Sequence, residues 1–451
     1  MIEKTLLVTA KIISSDGKIE STMEIANYPI KPPTTAAELG LSATKQLSMI
    51  SQVQDEYLKG QAIFLNERPT SCPICNAKVL KNGKNPSKFQ HLYSSHSVDL
   101  QKWTCAADNC SWQQSPSFYQ LFDTNMSPEL VKVQAELGAE HSFRKSSKIL
   151  TLLAGKRRIN NKSRIHRTTI AVGEKIEQNI SNRSANDNIF VSPADNLVLH
   201  VDGIHIHDNE NRGHNFEAMV AKVYSPGNVI TVGPKKRPVI TAKHCAGSAK
   251  KDHQTTMKER TLEACKLEGL NAKTVILALS DGAKNCWNII NSLTSSCAKI
   301  IGILDWFHIT KYITTVKNLL PSTHVAIIGV IKDKLWHGLH EEAQQLLLSL
   351  KKELTDEKHI KKIENFSTYI SDNIDYIVDY NDRHQTGLLY TSSVAESTVE
   401  HYASARFKKS QKMQWNRINA HGVLQIRASV ISGDWEVLWD DSGGDIFKHA
   451  A

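Results

Sequence analysis

A chain of 451 residues with 40% hydrophobic content and 13 prolines is long enough for two to four globular cores, which excludes a disordered or low-complexity protein. Its longest apolar stretches, such as Val325 to Ile331, are far short of a bilayer span, and the opening MIEKTLLVTA has neither the basic start nor the long apolar centre of a signal peptide, so a soluble, cytoplasmic protein is expected. The net charge of +9 is unevenly spread: residues 141–170 hold nine Lys or Arg and residues 401–433 hold six, with no acid in either block, which suits a polyanion and a nucleoid-associated protein.

Residues 1–66 form an N-terminal region to which no chemistry can be assigned. Leu6 to Ile13 alternates like a strand, Lys31-Pro32-Pro33 breaks the chain, and Ala36 to Leu65 reads as helix. Residues 67–118 predict a zinc ribbon. Cys72 and Cys75 are followed after 29 residues by Cys105 and Cys110, and two thiolate knuckles at this separation suit a tetrahedral structural Zn²⁺. His91 and His96 lie between the pairs and are read as surface residues that can also replace a cysteine. Cys245, Cys265, Cys286 and Cys297 are scattered and read as small buried apolar residues.

Residues 119–180 predict a helical, helix-turn-helix-like DNA-binding region. Ser127-Pro128-Glu129 caps a first helix, Gly155 breaks it, and a second carries Lys162, Arg164, Arg167 and Thr168 on its polar positions. The polar stretch Ser181 to Asn188 reads as a linker.

Residues 190–451 open with Leu197 to Val201, a buried strand that Asp202-Gly203 ends or interrupts. Segments 215–224 and 228–232 complete a three-stranded meander, and Gly233 to Lys251 reads as a basic loop leading to a helix at Thr255 to Leu267. The apolar run Val275 to Leu279 stops at Ser280-Asp281-Gly282. Cys286, Ile290, Leu293 and Cys297 follow at helical spacing, and a second run, Ile300 to Leu304, stops at Asp305. This is a βαβ unit of a parallel sheet, with a carboxylate where each strand ends. A helical block covers about residues 309–385, and a last helix from near Ser393 carries Glu396, Glu400 and Arg406. The fold class is therefore multidomain α+β / α/β, with an RNase H-like mixed sheet and an all-helical insertion after the ribbon and helical regions.

Phosphodiester chemistry on such a sheet uses two divalent ions, Mg²⁺ or Mn²⁺, held by carboxylates from different elements. Asp202, Asp281 and Glu396 meet that requirement. Asp305 competes with Asp281, since both end strands, and Glu400 competes with Glu396 one helical turn away; Asp202 before Gly203, taken alone, reads as a plain turn residue, and Asp281 also has a plain reading as a helix cap. His205, His207 and Asp208 read as a polar strand end, and Trp306 and Trp415 as packing residues.

LHVDGIHIH, LSDGAKNCW, GILDWFHITKY and SVAESTVEHYASARFKKSQKMQW, preceded by a zinc-binding region, resemble bacterial insertion-sequence transposases of the DDE class related to Mutator-like elements. The resemblance implies a catalytic and Mg²⁺-binding triad of Asp202, Asp281 and Glu396, with Asp305, Trp306 and His308 supporting the site or contacting DNA. It favours Asp281 over Asp305. Related sequences carry a glycine-rich turn before the Ala-Glu-Ser, where this chain reads Tyr390-Thr391-Ser392-Ser393. The expected activity is metal-dependent cleavage and transfer of double-stranded DNA at the element's terminal inverted repeats, by a homodimer or larger assembly with no membrane partner. Lys162, Arg164, Arg167, Lys235, Lys236, Arg237, Lys408, Lys409 and Lys412, together with Lys250, Lys251 and Arg406, are the expected phosphate contacts. The alternatives are a catalytically inactive, transposase-derived DNA-binding regulator and an RNase H-like nuclease acting without terminal repeats.

Overall fold

The computed structural model describes residues 4–186, 191–234, 237–392, 402–403, 405–407 and 413–439. Its contacts divide the chain into two compact units, residues 1–137 with 143–168, and residues 138–142 with 169–451. No helix among the described residues is long and apolar enough to cross a membrane.

In the first unit, β1 (Lys4–Ile13) and β2 (Ile19–Ile30) form an antiparallel ribbon, and α1 (Ala43–Leu65) follows with Ser42 as its cap. The strands β3 (Val79–Gln90), β4 (Ser95–Cys105) and β5 (Gln113–Gln114) make a three-stranded sheet. Leu58 and Ala62 of α1 pack on Val98 and Leu100 of β4 and on Phe118, the first residue of α2 (Phe118–Phe122). The basic segment holds three helices where the sequence predicts two: α3 (Pro128–Glu140), α4 (Phe143–Ala154) and, after Gly155 at φ +76° and a 3₁₀ turn at Arg158–Asn160, α5 (Lys162–Asn186). The stretch expected as a linker from Ser181 continues this helix to Asn186, because it contains neither Gly nor Pro to stop it. Thr168, expected on the polar face, is buried and donates to Gln134 at 2.9 Å.

The second unit is built on a five-stranded mixed sheet. Its strands are β6 (Asn196–His207), β7 (Asn215–Tyr224), β10 (His244–Ser248), β11 (Val275–Ser280) and β12 (Lys299–Leu304), in the spatial order β10-β7-β6-β11-β12. The first three are antiparallel neighbours, and β11 runs parallel to both β6 and β12. One face is covered by α6 (Thr255–Leu267) and α7 (Lys284–Asn291) over Leu197, Leu199, Val201 and Ala278. The other meets a helical block of α8 (Trp306–Leu319), α9 (Val325–Trp336), α10 (His340–Glu353), α11 (Glu357–Asp372) and α12 (Tyr380–Gln385), whose Ile313, Ile331, Leu347 and Phe366 join Val198, Leu279 and Ile303 in one core.

The third strand of the sheet is a correction to the sequence reading. Residues 228–232 do not join it: β8 (Val229–Val232) pairs with β9 (Arg237–Ile240) in a separate ribbon, and the sheet is extended by His244–Ser248, which lies within the expected basic loop. That strand is poor in β-formers because its outer side is packed. A Cβ on Gly247 would lie 2.4 Å from the Tyr402 hydroxyl, and Gln425 of α13 (Arg417–Ser432) donates to the Gly247 carbonyl at 2.8 Å.

The helix α13 is fixed by close approach and by charge. Gly173 of α5 abuts the Gly422 backbone so tightly that a Cβ would sit 2.2 Å from the Gly422 carbonyl oxygen. One turn along α5, Glu177 meets Lys250 at 2.6 Å, Arg260 at 3.3 Å and the ring of His421. Burial pushes the Glu177 carboxyl up, but the His421 hydrogen bond and the Lys250 and Arg260 charges outweigh it and hold it at about 2.

Gly173→Ala is expected to overpack this crossing and destabilise the fold by about 1–3 kcal/mol, read as a lower denaturant midpoint; an unchanged midpoint would mean that the helices do not touch here. Because the folded pKa of Glu177 is depressed, its contribution to stability is present above the ordinary glutamate range and is lost as pH falls towards about 2. Glu177→Gln should therefore lower the melting temperature at neutral pH and flatten its fall between pH 5 and 3, as followed by circular dichroism, and equal acid sensitivity in both proteins would contradict this assignment.

Candidate functional site

Two clusters carry chemistry, one in each unit. In the first unit, Cys72 and Cys75 flank a tight turn in which the Cys72 amide donates to the Ala77 carbonyl at 2.9 Å and Asn76 adopts φ +59°. Cys105 ends β4, and its amide donates to the Trp112 carbonyl at 3.0 Å, closing the second knuckle around Cys110. The two knuckles face each other: Cys72 and Cys110 sulfurs are 3.7 Å apart, Cys75 and Cys105 sulfurs 3.4 Å, and all four lie within 4.8 Å of one another. Four thiolates at these separations can bind a metal such as zinc. Neither histidine belongs to the cluster. His91 pairs with Gln54, and His96, expected at the surface, is buried with its ring between Asp55 and Ser94.

In the second unit, β11 and β6 run in register with Ser280 beside Val201. The next residue on each chain is the aspartate, so Asp281 and Asp202 stand side by side where the parallel pairing stops. Asp202 accepts from the Gly203 amide at 2.7 Å. Asp281 accepts from the Ala283 amide at 2.9 Å, so part of its carboxylate does orient the start of α7. The turn is braced from the helical block: the Tyr369 hydroxyl donates to the Asp281 carbonyl at 2.9 Å, and Gly282, at φ +96°, leaves no room for a Cβ beside Asn373 and Leu304.

Sequence reasoning missed a third carboxylate nearby. Glu217 of β7 lies over Gly203, where a Cβ would meet its Oε1 at 2.6 Å, and its Oε2 accepts from Asn285 of α7 at 2.6 Å. Burial raises the Cys286 thiol beyond its ordinary range, and the charges of Asp281, Asp202 and Glu217 add to that rise. A glutamate two residues from the end of an alternating strand gives no signal by itself. Among the described residues, only the four cysteines bring three or more ligand atoms to one metal-sized point.

Asp305 has a different environment from Asp281. It is 2% exposed, caps α8 through the Phe307 amide at 3.1 Å, and accepts from the Ser392 amide at 2.9 Å and the Ser392 hydroxyl at 2.5 Å. His308 approaches it at 3.7 Å, and Trp306 packs between Trp336 and Tyr380. Glu396, Glu400, Lys235, Lys236, Lys408, Lys409 and Lys412 lie outside the described residues. Arg237 opens β9. Lys162 and Arg167 are exposed, as is Lys251, whereas Arg164 is half-buried against Asn125 and Met126. Lys250 is engaged by Glu177. Arg406 is a correction: it is 1% exposed, its guanidinium donates to the Gly138 carbonyl and lies 4.6 Å from the centre of the Trp415 ring, so it holds the fold and does not reach a phosphate.

Purified without chelator, the chain is expected to carry stoichiometric zinc by elemental analysis, and Cys75→Ser with Cys110→Ser to lose it and to lower the melting temperature. Metal-free protein that melts at the same temperature with or without added zinc would refute the assignment.

No curated protein matches the chain. Residues 125–440, well over half of its length, match Uncharacterised protein family (UPF0236), and the chain belongs to that family.

Proposed function

We propose that the chain is a DNA transposase of the DDE class, with an RNase H-like second unit that cuts and joins DNA and a metal-bearing first unit that helps to hold it. The observation that carries this reading is the register of β6 and β11, which brings Asp202 and Asp281 together at the edge of a sheet ordered third-second-first-fourth-fifth. That order, antiparallel over three strands and parallel over two, supports the RNase H-like assignment.

Asp202 and Asp281 offer hard oxygen donors from adjacent strands, a donor set that fits Mg²⁺ or Mn²⁺. Such ions, when bound, activate the attacking oxygen and stabilise the leaving one. The protein's own part is positional. The Ala283 amide and the Tyr369 hydroxyl fix the Asp281 turn. Ser392, clamped on Asp305 at the end of β12, begins the segment that reaches Glu396 four residues later in the sequence. The exposed Lys162 and Arg167 of α5 supply charge for the DNA backbone. A DNA-binding regulator with the same basic residues is the second reading, and metal-dependent cutting separates the two.

The test is cleavage and joining of DNA flanking the gene, with Mg²⁺ or Mn²⁺. Asp202→Asn, Asp281→Asn and Glu396→Gln should each lower cutting at repeat ends by at least about a hundredfold with little change in melting temperature. Asp305→Asn should instead lower the melting temperature, since it disturbs a buried acceptor. Tight binding to repeat ends without cutting under either metal would sink the enzyme and leave the regulator, and cutting that ignores the repeats would indicate a nuclease.

A further inference from the structure

A cleft of about 590 Å³ lies in the first unit between the β3–β4 hairpin and the start of α5. Its cations come from three separate pieces of chain: Lys88 on β3, Arg158 in the 3₁₀ turn, and Arg164 and Arg167 on α5. No Asp or Glu lines it, and the ion pairs found among the described residues include none of these four side chains. Ile159 is the single aliphatic residue in its wall, so the cleft offers little surface for a lipid tail or an apolar side chain.

Arg157, the neighbour of Arg158, shows what a structural arginine is like in this region. It donates to the carbonyls of His91, Leu92 and Ser94 and to the side chains of Gln90 and Ser95, tying the hairpin turn to the chain that enters α5. Both walls of the cleft are thereby fixed. Arg164 is held at its edge by neutral partners only, the Asn125 amide oxygen and the Met126 sulfur, which orient the guanidinium without cancelling its charge. Lys88, Arg158 and Arg167 are exposed and Arg164 is half-buried, so four like charges face one cleft with no acid to balance them, and an anion supplied from outside relieves their repulsion. The Gln90 amide nitrogen adds a donor suited to phosphate oxygens, its Oε1 being taken by Arg157 and Ser95.

We propose that this cleft seats the backbone phosphates of a nucleic-acid strand, reading charge and not base sequence. The choice of a polymer over a free anion rests on the function proposed above; the anion site itself rests on the cleft. The recognition surface is thus shared between the hairpin and α5, and is not the exposed face of α5 alone.

The experiment is fluorescence anisotropy of the 451-residue chain, purified with zinc, with a labelled random-sequence duplex over a range of salt. Lys88→Gln, Arg158→Gln and Arg167→Gln combined should weaken binding about tenfold or more and flatten the plot of log affinity against log salt by roughly one per cation removed. The same charges restored as Lys88→Arg, Arg158→Lys and Arg167→Lys should bind as wild type. A charge-matched control, Lys317→Gln, Lys352→Gln and Lys361→Gln, should keep the wild-type slope. If the cleft variant and the control behave alike while wild type binds, the cleft is overturned and the DNA-binding reading stands. If wild type binds no duplex even at low salt, the polymer assignment falls with that reading. A melting temperature raised by inorganic phosphate in the absence of any duplex binding would likewise overturn the proposal in favour of a free-anion site.

Discussion

The pairing of β6 is the constraint on which the second unit depends. This strand has neighbours of opposite sense, β11 running parallel on one side and β7 antiparallel on the other. The parallel ladder ends at Val201, while the antiparallel one continues to His207. Asp202 is the first residue to lose its neighbour on the β11 side. A register shift of one residue would turn every side chain of β6 to the opposite face, sending Leu197, Leu199 and Val201 out of the core over α6 and α7. The hydrophobic burial of the strand and the position of its aspartate are therefore a single condition.

The helical block makes the Asp281 turn rigid. Trp287 of α7 stacks on Tyr376 with ring centres 3.7 Å apart and donates to Asn373, whose amide crowds Gly282. Tyr380 donates to the Leu304 carbonyl just before Asp305. The ends of β11 and β12 are thus held by side chains from a segment inserted after them in the chain, so the block acts on the site as a brace.

Parts of this were legible from the sequence because they rest on continuous apolar runs or on covalent spacing. The βαβ unit from Val275 to Leu304 announces itself, since both strands are buried on two faces, and the cysteine knuckles are fixed by ligand chemistry. The strand His244–Ser248 was not legible: its Cys, Ala and Gly residues are chosen for contact with Tyr402 and α13, and tertiary packing overrides their weak strand preference. Ile230 and Val232 mislead in the opposite direction, being β-formers in an exposed ribbon. Arg406 and Glu177 are invisible for the same reason, because the burial that distinguishes a structural charge from a ligand-facing one is set by residues far away in sequence.

The β3–β4 hairpin is secured differently at its two ends. At the cysteine end only Cys72, Val79, Trp103 and Cys105 are buried together, a core too small to hold two knuckles by hydrophobic burial alone. The four thiols stand at separations that suit a metal, and a metal bound only in the folded state would supply the missing free energy there. At the other end Arg157 clamps the turn, and between them Leu58, Ala62 and Phe118 press against Val98 and Leu100. Lys88 stands on the strand between these anchors. The strand that lines one wall of the cleft thus runs from the cysteine knuckles at one end to the Arg157 clamp at the other.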